Sequence, residues 1–412
     1  MATATDTSAP RPTAAPTGVR ALATSPMADS YLLIFAVTIL CAVGAMMVLS
    51  ASSVLAQADG RSPYYYATRQ LLFMIAGVVG AVLVSRLNPR TLQRVAWLGW
   101  AASVVGLLLV LSPLGHEVNG NQNWINVAGF TFQPSEFAKL GLIIWAAAVW
   151  HTKRGRLHEV PQILVPFVPG AGILLALILA GRDLGTGIVV GIVVVALLFF
   201  VGTSLKVLVP AGAVGLLGVA LLVIGSGNRM ARMQVFWNPE SNTDLSSQPT
   251  AAVYALASGG WWGLGLGASK QKWGGLKDAA HTDFIFAVIG EELGLFGVLV
   301  VIAMFALMAR AGFSIALRSA TMFNRIAAAG ITTWLMVQGL INIMVVMHLL
   351  PVLGIPLPFL SSGGSALLAN LLAVGVLLAI ARDTPEARRY FAARRRTDRP
   401  RMSSILAAGR SR

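Results

Sequence analysis

The chain has 412 residues, of which 56% are hydrophobic and only 11% are charged, and its mean hydropathy is +0.74. A soluble domain carries about 25% charged residues, so this composition excludes a soluble globular protein and indicates helices that cross a membrane several times. The net charge of +15 does not indicate nucleic-acid binding, because anionic membrane lipids account for an Arg-rich segment beside the last apolar run.

The first 30 residues are rich in Thr, Ala and Pro and contain no apolar core. They predict a disordered cytosolic tail, residues 1–30, rather than a cleavable signal peptide. The only cysteine, Cys41, lies in the first apolar segment. The sequence therefore predicts neither a disulfide within the chain nor a metal site built on cysteine.

Ten apolar segments follow, and each is close to the ~20 residues that a spanning helix needs, although a few are shorter. They cover residues 31–52, 70–85, 95–112, 136–151, 162–180, 184–201, 206–225, 284–308, 327–349 and 364–381. The predicted fold class is an all-α polytopic membrane protein with ten transmembrane helices. Its ten-span domain covers 31–382, and an Arg-rich cytosolic tail covers 383–412.

The basic residues predict the orientation of these helices. If the N-terminus is cytosolic, most of the arginines and lysines fall in the cytosolic loops and in the tail after residue 382. The opposite orientation would violate the positive-inside rule at nearly every loop. We therefore expect a multi-pass protein of the bacterial cell membrane with both termini in the cytoplasm.

In this orientation the largest extracellular loop covers residues 226–283, between the seventh and eighth spans. It is rich in glycine and contains Trp237, Trp261, Trp262 and Trp273. Disordered linkers contain few aromatic residues. We therefore expect helices that lie on, or re-enter, the outer surface of the membrane.

Two polar clusters stand at the outer ends of apolar segments. In the first, Glu136 and Lys139 are three residues apart on one helix face and can pair. They either fix the start of that helix or line a cavity. In the second, Asp183 follows Gly181 and Arg182 between two spans, where it either caps a tight helical hairpin or faces the same cavity as Glu136.

A third cluster runs from Ser258 to Asp283. Its glycines, together with Lys270 and Lys272, are typical of phosphate binding through backbone amides and ammonium groups. His281 and Asp283 follow at the outer end of an apolar segment. Asp283 either caps that helix or carries chemistry, and His281 is either a hydrogen-bonding interface residue or part of the site.

Glu291 and Glu292 lie about 12 Å deeper along the same helix. An ionisable residue inside a membrane is costly and is a functional candidate by default. These two acids need partners, such as a lysine or arginine of a neighbouring span, and we favour a structural role for them.

The fourth cluster, residues 351–365, contains three prolines and a Gly-Gly pair, so it cannot form a helix that faces lipid. Irregular backbone at membrane depth is tolerated only where protein covers it or where it lines a wet cavity. We expect this segment, with Ser361 and Ser362, to fold back over the site.

These four clusters, in this order, resemble those of the FtsW/RodA family, the SEDS (shape, elongation, division and sporulation) proteins. The resemblance covers about residues 31–382 and is most specific at 281–294 and 351–365. It implies ten spans and peptidoglycan glycosyltransferase activity on lipid II. It also implies a class B penicillin-binding protein, a transpeptidase, as partner, together with other divisome proteins.

Two features resemble division-type FtsW more than elongation-type RodA. They are the Ile289-Gly290-Glu291-Glu292 form of the third cluster and the long N-terminal tail. They imply a role in septal cell-wall synthesis. An elongation polymerase of the RodA type remains the alternative.

By its motifs, the resemblance makes Asp283 the family's essential acid and matches Glu136, Lys139 and Asp183 to family positions. As a hypothesis, Asp283 is the general base for the 4-hydroxyl of an acceptor N-acetylglucosamine. That oxygen attacks the anomeric carbon of a donor N-acetylmuramic acid, undecaprenyl diphosphate leaves, and inversion gives a β-1,4 linkage.

The charge of the diphosphate must be met by cations. The candidates are Lys139, Arg182, Lys270 and Lys272. A divalent cation such as Mg²⁺ or Mn²⁺ could share this charge, but no ligand cluster in the sequence demands one. His281, Ser361 and Ser362 complete the expected substrate-binding residues.

Two interpretations from other classes remain. A lipid II flippase should show inverted repeats and charges at the membrane midplane, whereas the polar clusters here fall at the outer face. A scaffold for division proteins would tolerate the loss of Asp283, which an enzyme would not.

Overall fold

The computed structural model describes residues 25, 27–118, 121–127, 129–276 and 279–397. In these ranges the long apolar runs are helical, as expected for a chain whose backbone polar groups have no water to bind inside a bilayer. The helices are α1 (Ala28–Ala58), α2 (Tyr65–Ser85), α3 (Pro89–Arg94), α4 (Ala96–Leu111), α5 (Pro134–Thr152), α6 (Val160–Ala180), α7 (Leu184–Phe200), α8 (Leu205–Ile224), α9 (Gly227–Trp237), α10 (Thr243–Ser258), α11 (Ile285–Arg318), α12 (Met322–Val346), α13 (Gly364–Arg382) and α14 (Pro385–Thr397).

Seven of the described helices are long and apolar enough to cross a membrane, namely α1, α2, α6, α8, α11, α12 and α13. The other three predicted segments are also helical. Two of them form the shorter apolar helices α4 and α7, and the third forms α5, which carries a buried Glu and Lys in its first turns. The chain is therefore a helical membrane protein, while the number of ten spans remains a prediction.

The segment between α4 and α5 departs from the predicted all-α class. It forms a three-stranded antiparallel sheet with the strand order β1-β2-β3. The strands are β1 (Gly115–Val118), β2 (Asn121–Val127) and β3 (Phe130–Phe132). Ile125 of the central strand lies opposite Gly115 on one side and Phe132 on the other. Aromatic and β-branched residues favour such strands, and Gly129, with φ of 82°, permits the turn before β3.

The 226–283 segment contains helices, as expected from its composition. α9 and α10 are joined by a 3₁₀ turn at Pro239–Ser241, and a second turn follows at Gln271–Trp273. The side chain of Asn242 caps α10 by accepting a hydrogen bond from the amide of Leu245. The segment therefore supplies ordered elements beside the start of α11.

The glycine-rich stretch after α10 pairs with a break in α11 at Gly294, whose φ is 64°. The amides of Leu264 and Gly265 donate to the carbonyls of Glu291 and Glu292, at 2.9 and 3.1 Å. In return, the amides of residues 295 and 296 donate to the carbonyls of residues 260 and 261, at 2.9 and 3.2 Å. The loop thus takes up backbone groups that the broken helix leaves unpaired.

The end of the bundle opposite this loop gathers basic residues. Arg382 at the end of α13 donates to the carbonyl of Ser85 at the end of α2, at 3.2 Å. Arg318 at the end of α11 lies 3.6 Å from Asp29 and 3.4 Å from Glu386. Most of the predicted tail 1–30 and residues 398–412 of the tail 383–412 lie outside the described residues. Residues 385–397 form α14.

Candidate active site at the start of α11

Asp283 lies just before α11 and does not cap it. The N-cap residue is Phe284, and no side chain accepts a hydrogen bond there, so the capping alternative for Asp283 does not hold. The backbone carbonyl of Asp283 accepts a hydrogen bond from Nδ2 of the buried Asn342, at 2.7 Å. Among the described residues, the half-buried carboxylate of Asp283 forms no hydrogen bond or ion pair. The backbone is fixed while the carboxylate stays available.

Residues 351–363, the part of the fourth cluster that precedes α13, form an irregular segment, here called the 351–363 segment. This segment passes directly beside the carboxylate of Asp283. The hydroxyl of Ser361 donates to the carbonyl of Thr282 at 2.7 Å and accepts from the amide of Leu357 at 2.8 Å. The amide of Ser362 donates to the carbonyl of His281 at 2.9 Å. A Cβ at Gly354 would lie 3.8 Å from Oδ2 of Asp283. The segment therefore folds back over the site, and Ser361 serves to hold it there.

Asp183 joins three elements at the same place. Its Oδ1 accepts from the amide of Thr186 at 2.9 Å, so it caps α7. Its Oδ2 accepts from Nδ2 of Asn123 at 3.0 Å and from Nε2 of Gln133 at 3.1 Å, which ties the cap to the sheet. A Cβ at Gly185 would meet the carbonyl of Leu353, so the start of α7 also packs on the 351–363 segment.

The surroundings of Asp283 tune its protonation. Burial raises the pKa of Asp283 from 3.8 to about 6, the guanidinium of Arg232 opposes this by lowering the pKa, and the negative charge of Asp183 raises it. A carboxylate with this pKa is mostly ionised at neutral pH, yet it accepts a proton more readily than an ordinary aspartate. These are the properties of a general base.

Arg232 is a residue that the sequence analysis missed. It lies on α9, where its Nη1 donates to the carbonyl of Val352 at 3.4 Å, and its charge acts on Asp283. Burial lowers the pKa of Arg232, whereas Asp283 raises it. A signal was present in the sequence, because Arg229 and Arg232 are three residues apart on a short helix. Arg229 reaches the carbonyl of Arg182 at 3.0 Å, which ties α9 to the loop before α7.

The predicted pair of Glu136 and Lys139 forms beneath the 351–363 segment. Nζ of Lys139 lies 2.7 Å from Oε1 of Glu136, and both side chains are almost fully buried. Lys139 also donates to Oε1 of Gln338 at 2.7 Å, and Nε2 of Gln338 donates to the carbonyl of Pro356 at 3.1 Å. Oε2 of Glu136 has no hydrogen-bond partner in the described part of the chain, so it remains a free acceptor.

Of the other predicted cations, Lys272 is buried in an ion pair, whereas Lys270 and Arg182 are exposed. Lys272 is buried and paired with Glu292 at 2.9 Å, and it also donates to the carbonyl of Gly267 at 2.8 Å. Lys270 and Arg182 are exposed, and neither ion-pairs with another described residue. A phosphate contact by Lys272 would require its ion pair to open, so this role stays a prediction.

Glu291 and Glu292 hold the loop to α11. Glu291 accepts from the hydroxyl of Ser269 and, at 2.9 Å, from the amide of Lys270. Glu292 accepts from the hydroxyl of Ser50 on α1 at 2.7 Å, besides pairing with Lys272. The lysine partner comes from the outer loop rather than from a neighbouring span. These contacts support the structural role favoured from the sequence.

His281 packs its ring against Tyr66 of α2, with 4.7 Å between the ring centroids and 47° between the planes. The side chain is buried. Together with the bond from Ser362 to its carbonyl, this contact fixes the turn before Asp283.

No group of three or more His, Cys, Asp or Glu side chains in the described part of the chain is arranged to hold a metal ion. Mg²⁺ usually binds through one or two carboxylates together with substrate phosphates, so it needs no protein cage. The carboxylate of Asp283 could take part in such binding. A divalent cation therefore stays a prediction.

The fold and the site define a polytopic helical membrane protein in which the carboxylate of Asp283, without a hydrogen-bond or ion-pair partner in the described part of the chain, lies among loops at the helix ends. A model of the FtsW/RodA/SpoVE family, described as cell cycle proteins, matches residues 31–386. The chain belongs to this family, and the family predicted from the four polar clusters is confirmed.

Two kinds of relatives share the sequence. Over 364 residues, the chain is 40% identical to the probable peptidoglycan glycosyltransferase FtsW of Mycobacterium tuberculosis, covering 88% of this chain and 69% of that protein. It is 39% identical over 355 residues to the probable peptidoglycan glycosyltransferase FtsW of Trichlorobacter lovleyi, covering 84% of this chain and 92% of that protein. It is 36% identical over 371 residues to stage V sporulation protein E of Bacillus subtilis, covering 88% and 99%.

Solved structures share the fold. A chain from a peptidoglycan synthase complex that coordinates polymerization and crosslinking superposes with a TM-score of 0.70 at 27% identity, covering 86% of this chain and 98% of that chain. The rod shape determining protein RodA of Thermus thermophilus superposes with a TM-score of 0.64 at 29% identity, covering 86% and 96%.

Proposed function

We propose that this chain polymerises lipid II into β-1,4-linked glycan strands and releases undecaprenyl diphosphate. The observation that carries the proposal is Asp283. Its backbone is fixed by Asn342, its carboxylate is not used by the fold, and burial raises its pKa to about 6. A side chain that is held in place but left unbonded at a membrane-protein site is suited to chemistry.

The enzyme class has direct support. Two of the relatives described above are named probable peptidoglycan glycosyltransferases, at 40% and 39% identity. The FtsW names and the family description as cell cycle proteins favour septal synthesis over elongation. The basic end of the bundle supports cytoplasmic termini, and with them a site at the outer face of the cell membrane.

In the proposed reaction, ionised Asp283 accepts the proton of the 4-hydroxyl of the acceptor N-acetylglucosamine. The oxygen forms a bond to the anomeric carbon of the donor N-acetylmuramic acid. The bond from that carbon to the diphosphate oxygen breaks, and the configuration changes from α to β. A diphosphate leaves as an anion without protonation, so one base is sufficient, and a positioned base contributes about 10²–10⁴-fold.

Arg232 is the cation best placed to help the leaving diphosphate. Its single hydrogen bond in the described residues is a long one to Val352, so most of its five N–H donors remain for a ligand. The guanidinium fork suits phosphate oxygens. Arg182 and Lys270, which are exposed, and Lys139 beneath the 351–363 segment are further candidates.

The polyprenyl chain of the substrate needs an apolar surface open to lipid. Helix α8 leads directly into α9, which carries Arg232, and Leu208 is the one buried residue along α8. Leu216 on this helix is 75% exposed. We therefore place the lipid chain along α8, with its diphosphate near the start of α9.

A crosslinking enzyme, a class B penicillin-binding protein, is the proposed partner. The support is the solved peptidoglycan synthase complex that coordinates polymerization with crosslinking, one chain of which shares this fold. Other divisome proteins follow from the proposed septal role.

The test is polymerisation of purified lipid II by the full-length protein, alone and with its cognate transpeptidase, in the presence and absence of Mg²⁺ or Mn²⁺. The Asp283→Asn and Asp283→Ala variants should form glycan strands at no more than about 1% of the wild-type rate. Asp244→Asn is the matched control, because Asp244 is an exposed acid of the same loop. Its rate should equal that of wild type.

Two results would contradict the proposal. Equal product from the Asp283 variants would move catalysis to another residue. No product from wild type with the partner and either cation present would favour a flippase or a scaffold.

A further inference from the structure

A cavity of about 360 Å³ lies at the end of α5 that is remote from Asp283. It is lined by Arg90, Gln93, Arg94, Trp97, Ala148 and Thr152. These residues come from α3, the first turn of α4 and the last turns of α5. Because α5 begins at the Glu136–Lys139 pair, the cavity lies about 24 Å along the helix axis from that pair, at 1.5 Å per residue.

The cavity carries uncompensated positive charge. Arg90 and Arg94 are four residues apart, so they lie on one face of α3, and both are exposed. Within the described residues, neither guanidinium forms an ion pair or a hydrogen bond. Like charges at this spacing repel each other, so an anion between them would be stabilised. Guanidinium groups bind phosphate oxygens in a two-pronged geometry, and the amide of Gln93 adds a donor.

One wall of the cavity is apolar and open to lipid. Trp97 is 57% exposed, and its ring is held edge-on against Trp100 and Trp145, with centroid distances of 6.0 and 5.4 Å. Leu98 and Val105, further along α4, are 70% and 55% exposed. Tryptophan at the headgroup level, followed by exposed aliphatic side chains, is typical of the membrane boundary. A soluble phosphate would gain nothing from this wall, whereas acyl chains would.

We propose that this cavity binds the phosphate headgroup of an anionic phospholipid. The guanidiniums of Arg90 and Arg94 contact the phosphate, Trp97 lies beside the glycerol, and the acyl chains follow the exposed face of α4. The surrounding basic end of the bundle, which includes the contact of Arg382 with Ser85, faces an anionic lipid leaflet. The proposal does not depend on the role of Asp283.

The experiment uses the full-length protein in nanodiscs of phosphatidylcholine with added phosphatidylglycerol, followed by native mass spectrometry of the retained lipids. The double variant Arg90→Gln, Arg94→Gln should bind phosphatidylglycerol at least about tenfold more weakly than wild type. The control Arg310→Gln, Arg325→Gln removes two charges that are also exposed but lie outside the cavity. It should bind within about twofold of wild type, because its cavity is intact.

A third variant, Arg90→Lys with Arg94→Lys, keeps the charge and protects the test against misfolding of the glutamine variant. It should retain most of the binding, and its thermal unfolding should match that of wild type. Equal binding by the glutamine double variant would overturn the proposal, as would an equal loss in the control. Displacement of the lipid by millimolar inorganic phosphate would show that the site takes phosphate from water, which would also overturn it.

Discussion

Two acidic regions lie close together in the chain, and the fold treats them in opposite ways. Glu291 and Glu292 are fully buried, and their oxygens are used by Ser269, Ser50 and Lys272. Asp283, eight residues earlier than Glu291, has no such partners among the described residues. The buried charges of the first region hold the outer loop to α11. The carboxylate of Asp283 holds no other described residue. Burial alone therefore does not identify a catalytic acid in a membrane protein. A partly buried carboxylate that the fold leaves without internal partners is a candidate for chemistry.

The largest expected effect of this difference is on rate. Asp283→Asn should lower glycan synthesis by about 10²–10⁴-fold. It should not destabilise the protein at about pH 8. The pKa of Asp283 is raised by folding from 3.8 to about 6, so the ionised form is less favourable in the fold than in the unfolded chain. Thermal unfolding and lipid II polymerisation, measured on the same preparations, check both statements.

Loss of Glu292 should lower the stability of the protein, whereas loss of Asp283 should lower the rate without lowering stability. Glu292→Ala leaves the ammonium of Lys272 buried without its partner, and breaking such a pair costs about 3–5 kcal/mol. The measurement is the denaturation midpoint beside that of Glu240→Ala, which removes an exposed acid of the same loop. Adding Lys272→Met to Glu292→Ala should restore part of the loss. A Glu292 variant that is as stable as wild type but inactive would contradict the structural role of Glu292.

The pH dependence of the rate and of the stability tests the ionisation of Asp283 separately from that of the two buried glutamates. A base must be deprotonated, so the rate should fall about tenfold per pH unit below the pKa of Asp283, which is about 6, and level off above it. For stability the sign is opposite. Because the folded pKa is raised, the wild-type fold gains stability as pH falls from about 6 towards 3.8 and Asp283 takes up its proton. Asp283→Asn should lose this gain.

The smallest expected effect concerns Arg232. Its charge lowers the pKa of Asp283, so Arg232→Gln should move the acidic limb of the rate profile to higher pH. Arg232→Lys should keep the limb near its wild-type position, because the charge remains. The rate above the limb reports separately on the proposed diphosphate contact. An acidic limb that does not move in Arg232→Gln would show that the two charges do not interact in solution.

The parts of the site that follow local rules could be predicted from the sequence. The three-residue spacing of Glu136 and Lys139 predicted that they can pair, and a helix cap was one of the two alternatives for Asp183 between two spans. The proline and glycine content of 351–365 predicted backbone that folds over the site. Each of these inferences needs only neighbouring residues and the geometry of one helix or turn.

The parts that depend on tertiary contacts could not be predicted. The pairing of Lys272 with Glu292 requires the helix break at Gly294 and the return of the loop onto α11. The charge of Arg232 acts on Asp283 because α9 packs beside the 351–363 segment. The pKa of Asp283 depends on burial opposed by that charge, and a sequence gives neither magnitude. The small sheet lies between two predicted spans and was not predicted, because the sequence analysis gave only an all-α fold class.

The break in α11 has a consequence for folding. The two hydrogen bonds that an unbroken helix would close between residues 291–292 and 295–296 are replaced by four hydrogen bonds that join residues 260–265 to residues 291–296. The outer loop and the first turns of α11 must therefore order in one cooperative step, because neither satisfies its backbone without the other. The amides of Leu264, Gly265, Leu295 and Phe296 should exchange with solvent deuterium as a single unit.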